Sequence, residues 1–169
     1  MRLVLDLDGI RTEIGIEGYI SDFALNINTG YCMTYIDLSS DYINYIVNEP
    51  ILKSSEVEYL KYELKNLLED KTKEEKEIEF SDPSLQFNLQ PSGDIISDIN
   101  TGEYVTCDCS CDLIINIKRS GRLSSNEFRL FLIKDEIVTL YDYLRLITHE
   151  LAVDDDLVYK YIKEGKFRQ

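Results

Sequence analysis

Two stretches of this chain, near 80 residues apart, carry the same spacing of apolar side chains. Leu52, Val57, Leu60, Leu64 and Leu67 answer to Leu132, Ile137, Leu140, Leu144 and Ile147, and Glu56 answers to Glu136. Steps of three and four are the period of an amphipathic helix. The residues ahead of each helix alternate in the manner of strands, so the chain reads as a strand set and a helix, twice. Strands in series followed by one helix, rather than strands alternating with helices, make an α+β fold of antiparallel sheet.

The strand signals are short, Ile-, Tyr-, Thr- and Val-rich runs between turn residues. From Arg2 to Leu52 they form a meander with turns at Asp8-Gly9, Glu17-Gly18, Asn28-Thr29-Gly30 and Ser39-Ser40-Asp41. Phe23–Ile27 and Tyr31–Leu38 are the clearest pair, and Pro50, which lacks an N–H, marks an edge or a break. Ser54 with Glu56 and Glu58 behind it opens the first helix, expected to end near Asp70. Strands resume at Ile78–Phe80 and Leu85–Leu89, and a long one follows from Tyr104 to about Lys118. Phe128–Ile133 precedes a second helix from Asp135 to about Glu150, and a short helix covers 155–163. The expectation is one domain, 1–169, with pseudo-repeat halves 1–70 and 78–150.

Charge narrows the function classes. Against 32 acids stand 18 bases, a net of −14. Nucleic acid is a poor direct partner for such a surface, because phosphate contact needs a Lys/Arg patch. Phe80–Ile117 holds Asp82, Asp94, Asp98, Glu103, Asp108 and Asp112 with no base at all. A field of that sign steers basic partners and speeds their encounter. No apolar run approaches the roughly 20 residues that span a bilayer, and an acid at position 6 interrupts any signal peptide, so a cytoplasmic protein without a membrane partner is expected.

Few residues suggest chemistry. Leu3–Gly9, with Asp6 and Asp8 after an apolar strand, resembles the first motif of haloacid dehalogenase-type phosphatases, in which two aspartates work around magnesium. The chain departs from that family at Ile10, where Thr or Val is expected, and continues in strands rather than a crossover helix. Cys107, Cys109 and Cys111 alternate along a strand, which spaces them about 6.6–7 Å apart along the chain. That is too far for convergence on one tetrahedral metal, and alternation with Val105 and Leu113 makes them small core hydrophobes. His149 lacks a recognisable nucleophile partner. Asp154-Asp155-Asp156 fits helix capping better than a cation site. No cofactor or metal is expected. The twelve tyrosines suit a binding surface, since tyrosine covers area at low entropic cost.

Ile78–Leu89, the long polar–apolar strand after it, and Phe131–Ile137 leading into Leu140–Leu144 together resemble the WapI-type immunity proteins of bacterial polymorphic toxin systems. The resemblance spans roughly Phe23 to Thr148 and lies in the order of elements; the stretch before Asp22 and the tail helix fit it less well. It implies a small cytoplasmic protein that binds and neutralises a basic toxin domain, a nuclease, without catalytic residues of its own. The expected binding residues are Asp94, Asp98, Glu103, Tyr104, Asp108 and Asp112, with Asp108 and Asp112 on one solvent face. The alternatives are a magnesium-dependent phosphatase-like enzyme on Asp6 and Asp8 and a protein-interaction module unrelated to toxins.

Overall fold

The computed structural model describes the chain apart from residues 8, 21–29, 94, 98–103, 107 and 120–121 and the side chains of 95–97, 104–106 and 119. The expected strand Phe23–Ile27 therefore lies outside the described residues. Four strands, β1 (Arg2–Leu7), β2 (Ile10–Glu17), β3 (Tyr31–Ser39) and β4 (Asn44–Lys53), run directly into helix α1 (Ser54–Leu68). The second half repeats the plan with β5 (Lys76–Glu79), β6 (Leu85–Gln90), a small pair β7 (Ile95–Ser97) and β8 (Tyr104–Thr106), then β9 (Ser110–Arg119) and β10 (Arg122–Leu132), which enters α2 (Lys134–Ile147). Helix α3 (Asp156–Lys163) and β11 (Phe167–Arg168) close the chain. One sheet has the order β11-β1-β2-β3-β4 and the other β5-β6-β9-β10, with antiparallel pairing throughout.

The duplication is visible in detail. Cys32 faces Leu52 across β3 and β4, as Cys111 faces Leu132 across β9 and β10, and all four are buried. Glu56 accepts a hydrogen bond from the Lys53 amide at 2.8 Å and Glu136 one from the Ile133 amide at 2.8 Å, so the same N3 carboxylate closes both helix starts. This displaces the expected serine cap: Ser54 is already helical, and its hydroxyl accepts from the Ile20 amide instead. Both helices end in the same reversal, with Asp70 (φ 55°) and His149 (φ 62°) in the left-handed conformation and the next amide returning to the helix, Lys71 N to Asn66 O and Glu150 N to Arg145 O. His149 is thus a helix-ending residue. Asp155 caps α3 by accepting from the Leu157 amide at 2.8 Å, as the acidic triplet suggests.

Sequence and structure differ along Tyr104–Lys118, expected as one strand. Pairs between β6 and β9 and between β7 and β8 differ by one residue in register, because four residues separate β6 from β7 and three separate β8 from β9. Pro91, without an N–H, and Gly93, at φ 119°, occupy the longer arm, so the ladder breaks there and β8 leaves the main sheet. A comparable slip at Pro50 leaves Ile51 as an extra residue on edge strand β4.

Each helix is shared between the two sheets. α1 touches β4 and also β6, and α2 touches β9 and β10 and also β1. The buried side chains of both halves form one cluster in which Val57, Leu60, Leu64, Ile137, Leu140 and Leu144 are at most 2% exposed. Two polar anchors 80 residues apart fix the exchange. Glu63 of α1 pairs with Lys76 of β5 at 2.8 Å, and Tyr143 of α2 reaches the end of the β1–β2 pair in the first sheet. There the Tyr143 hydroxyl accepts from the Ile16 amide at 2.9 Å and donates to the Met1 carbonyl at 3.2 Å, standing in for the rung beyond Arg2–Gly15. Burial pushes the Tyr143 phenol pKa up, so it remains a neutral donor and acceptor. Among the described residues no helix is long and apolar enough to cross a membrane.

Tyr143→Phe leaves the Ile16 amide buried without an acceptor, and the expected cost is about 1–3 kcal/mol, read from the urea midpoint at unchanged slope. A second expectation concerns acid. Burial alone would raise the Glu13 carboxyl, but Arg11 at 2.7 Å and Arg168 at 3.1 Å outweigh it and hold its pKa below 4.5. A carboxylate with a depressed folded pKa stabilises above its unfolded value and loses that contribution as pH falls through the folded one. The stability difference between wild type and Glu13→Gln should therefore be present at pH 7 and shrink as pH drops below 4.5.

Candidate functional site

Of the six residues expected to bind, Asp94, Asp98 and Glu103 lie outside the described residues, and Tyr104 opens β8 with its side chain undescribed. Asp108 and Asp112 are described, and the structure separates them. Asp108 precedes β9 with a side chain 75% exposed, its Oδ1 3.5 Å from Lys134 Nζ. Asp112 is only 8% exposed, which corrects the expectation of a shared solvent face. The cause is position: β9 runs between β6 and β10, and Asn88 and Phe131 stand beside Asp112 on either hand. Ile114, two residues on, is shaded in the same way at 4%. Strand alternation tells which face a residue takes, and central placement decides whether that face is wet. Arg129 Nη1 approaches Asp112 Oδ2 at 3.5 Å while its other terminal nitrogen reaches Glu127 at 3.3 Å.

Around Asp108 lies a hollow of about 410 Å³ lined by Asp108, Cys109, Phe131, Ile133, Lys134 and Asp135. Phe131 and Ile133 are 49% and 53% exposed. They stand at the junction of β10 and α2, where Leu132 must face the core and its neighbours must therefore face out. Sequence reasoning took Phe131 and Ile133 as strand residues and missed them as surface. The signal was available, since Leu130 and Leu132 already supply the inward positions. Two acids, one lysine and two large apolar side chains around a shallow depression suit a protein surface with basic groups at its rim and an apolar centre.

Cys109 lines the hollow, and Cys111 follows two residues on, in β9. Cys109 and Cys111 are buried and free, as is Cys32, while Cys107 lies outside the described residues. Burial pushes the Cys109 thiol pKa up against the pull of Lys134, and that of Cys111 further, with the Asp112 charge adding to it. Neither is a ready nucleophile.

The remaining candidates are placed as follows. Asp6 is exposed on β1 opposite Arg11 of β2, Asp8 lies outside the described residues, and the chain turns back as antiparallel β2 rather than into a crossover helix. His149 is exposed with its ring edge-on to Tyr19, the centroids 6.1 Å apart. Tyr31 is 50% exposed on the open face of the first sheet, whereas Tyr35 lies under the Arg2 guanidinium, 3.7 Å from its carbon. Asp82, one of the acids in the base-free stretch, is bound to Lys118 at 2.9 Å. No family model matches the chain, no curated protein matches it, and no solved structure matches it.

Because buried thiols with raised pKa hold little thiolate at pH 8, alkylation of Cys109 and Cys111 by iodoacetamide should be far slower in the native protein than in 6 M urea. Peptide mass spectrometry of both states measures it, and equal rates would refute the burial.

Proposed function

We propose that this protein is a non-catalytic binder of a basic protein domain, an immunity protein of the WapI type that neutralises a nuclease toxin in the cytoplasm. The observation that carries the proposal is the hollow at Asp108, where Asp108, Asp135 and Lys134 border it together with exposed Phe131 and Ile133. Asp108 and Asp135 offer carboxylates to the basic groups with which a nuclease holds phosphate, and the strand–helix junction holds the apolar pair rigidly. Electrostatic attraction speeds capture and the apolar centre slows release. The surplus of 14 negative charges extends the attraction beyond the contact itself.

A phosphatase-like enzyme on Asp6 and Asp8 is the weaker alternative, for β1 returns directly as antiparallel β2 instead of leading into a crossover helix. An interaction module without a toxin shares the same surface and differs only in its partner.

The test is co-expression with the C-terminal domain of a large secreted toxin encoded next to this chain, and a neighbourhood without one would count against the proposal. The wild type should restore growth and bind the purified domain. Asp108→Lys should slow association roughly tenfold at low salt, less at high salt, and Phe131→Ala should speed dissociation at a cost of about 2 kcal/mol or more. Asp6→Asn should protect fully. Unchanged kinetics in both surface variants would remove the hollow from the interface, and a magnesium-dependent phosphatase activity lost in Asp6→Asn would replace the proposal with the enzyme.

A further inference from the structure

Among the described residues, the second sheet ends on a strand with no neighbour on its outer side. Among the described residues β5 pairs only with β6, whereas β1, its counterpart in the first half, has β11 along its outer edge. β11 arrives with α3, whose Tyr161 donates to Asp142 of α2 at 2.9 Å, and Phe167 of β11 rests against Tyr143 with ring centroids 5.8 Å apart. Eighty positions earlier, Asp142 and Tyr143 correspond to Tyr62 and Glu63 of α1. Those two line an open hollow of about 670 Å³ with Asn66, Lys76 and the connector 71–75, which brings Lys71 and Lys73 to its wall. In the second half a helix and a strand fill the place; in the first half, among the described residues, only the connector 71–75 borders it, and Tyr62 is 60% exposed.

The chemistry of the edge says what fits. Ile78 faces the core, while Glu77 and Glu79 face out and make no ion pair among the described residues. Glu75 just before the strand is also exposed. A second copy of β5 laid antiparallel would set glutamate against glutamate, which blocks self-pairing. Asn88, opposite Glu77 on β6, keeps its side-chain carbonyl oxygen buried without a donor. At the covered edge the added strand solves the same problem with a base. Arg168 of β11 lies opposite Arg2 of β1 and reaches past it to Glu13 of β2 at 3.1 Å.

We propose that the β5 edge accepts, as an added strand, an extended segment of a partner protein with Lys or Arg at alternate positions. Its backbone would continue the sheet, its apolar side chains would extend the inner face beside Ile78, and its basic side chains would lie over Glu77, Glu79 and the Asn88 carbonyl oxygen. The surface is distinct from the hollow at Asp108, so the two can be tested separately.

The probe is a synthetic eight-residue peptide of alternating Lys and Val, with a Glu–Val peptide and a block peptide of four Lys then four Val as controls. Amide hydrogen exchange of the intact protein should slow across 76–79 with the alternating peptide alone. Fluorescence anisotropy should show affinity falling about tenfold or more, at least 1.4 kcal/mol, in the Glu77→Lys/Glu79→Lys variant. Asp108→Lys should bind the peptide as the wild type does. Circular dichroism checks that the double variant folds; if it does not, Glu77→Gln/Glu79→Gln takes its place. Protection spread over other acidic surfaces, equal binding of the block peptide, or binding indifferent to residues 77 and 79 would overturn the proposal.

Discussion

The phenol of Tyr143 joins the first residue of the chain to its second long helix, and most of the architecture follows from that contact. Its hydroxyl completes the β1–β2 ladder from outside, in the place a further residue of β1 would occupy. Because the acceptor and the donor belong to one half and the ring to the other, neither half closes its own interior. The Glu63–Lys76 pair makes the reciprocal tie from α1 to β5. Hydrophobic burial supplies most of the attraction between the helices and sheets, but it is non-directional. The two polar contacts set which sheet each helix crosses to.

That exchange also makes the Asp108 hollow a firm surface. Ile133 and Lys134 sit where β10 becomes α2, and α2 is held at one end by the Glu136 cap and in its body by Tyr143. Lys61, buried on α1, donates to Glu150 and Thr148 beyond the end of α2 and secures the other end. Burial opposes the ammonium charge there, yet the carboxylates of Glu150 and Glu58 outweigh it and raise the Lys61 pKa. Side chains displayed from such a junction need little ordering on binding, which favours affinity.

Much of the fold was legible because two periods dominate it. Leu60, Leu64, Leu140 and Leu144 at helical steps located α1 and α2, and Phe87 and Leu89 at alternate positions located β6. What the sequence could not convey was lateral order. Asp112 has the pattern of a wet strand residue and is nearly buried because β9 lies inside its sheet, a fact that depends on Asn88 and Phe131 from distant parts of the chain. The break of the Tyr104–Lys118 strand turned on a one-residue difference between arms, which composition does not reveal although Pro91 and Gly93 flag the spot. Phe131 and Ile133 were overlooked for a related reason: their neighbours fixed the inward face, and only the end of the sheet left the outward one bare.

β11 pairs with β1, Arg168 opposite Arg2, so the first sheet is completed by residues made only after the whole second half. Until Tyr143 and then Phe167–Arg168 have been made, the N-terminal half lacks the tyrosine that closes its ladder and carries an open strand edge. The first sheet therefore reaches its final form only once the second half has been made, however early its four-strand meander collapses.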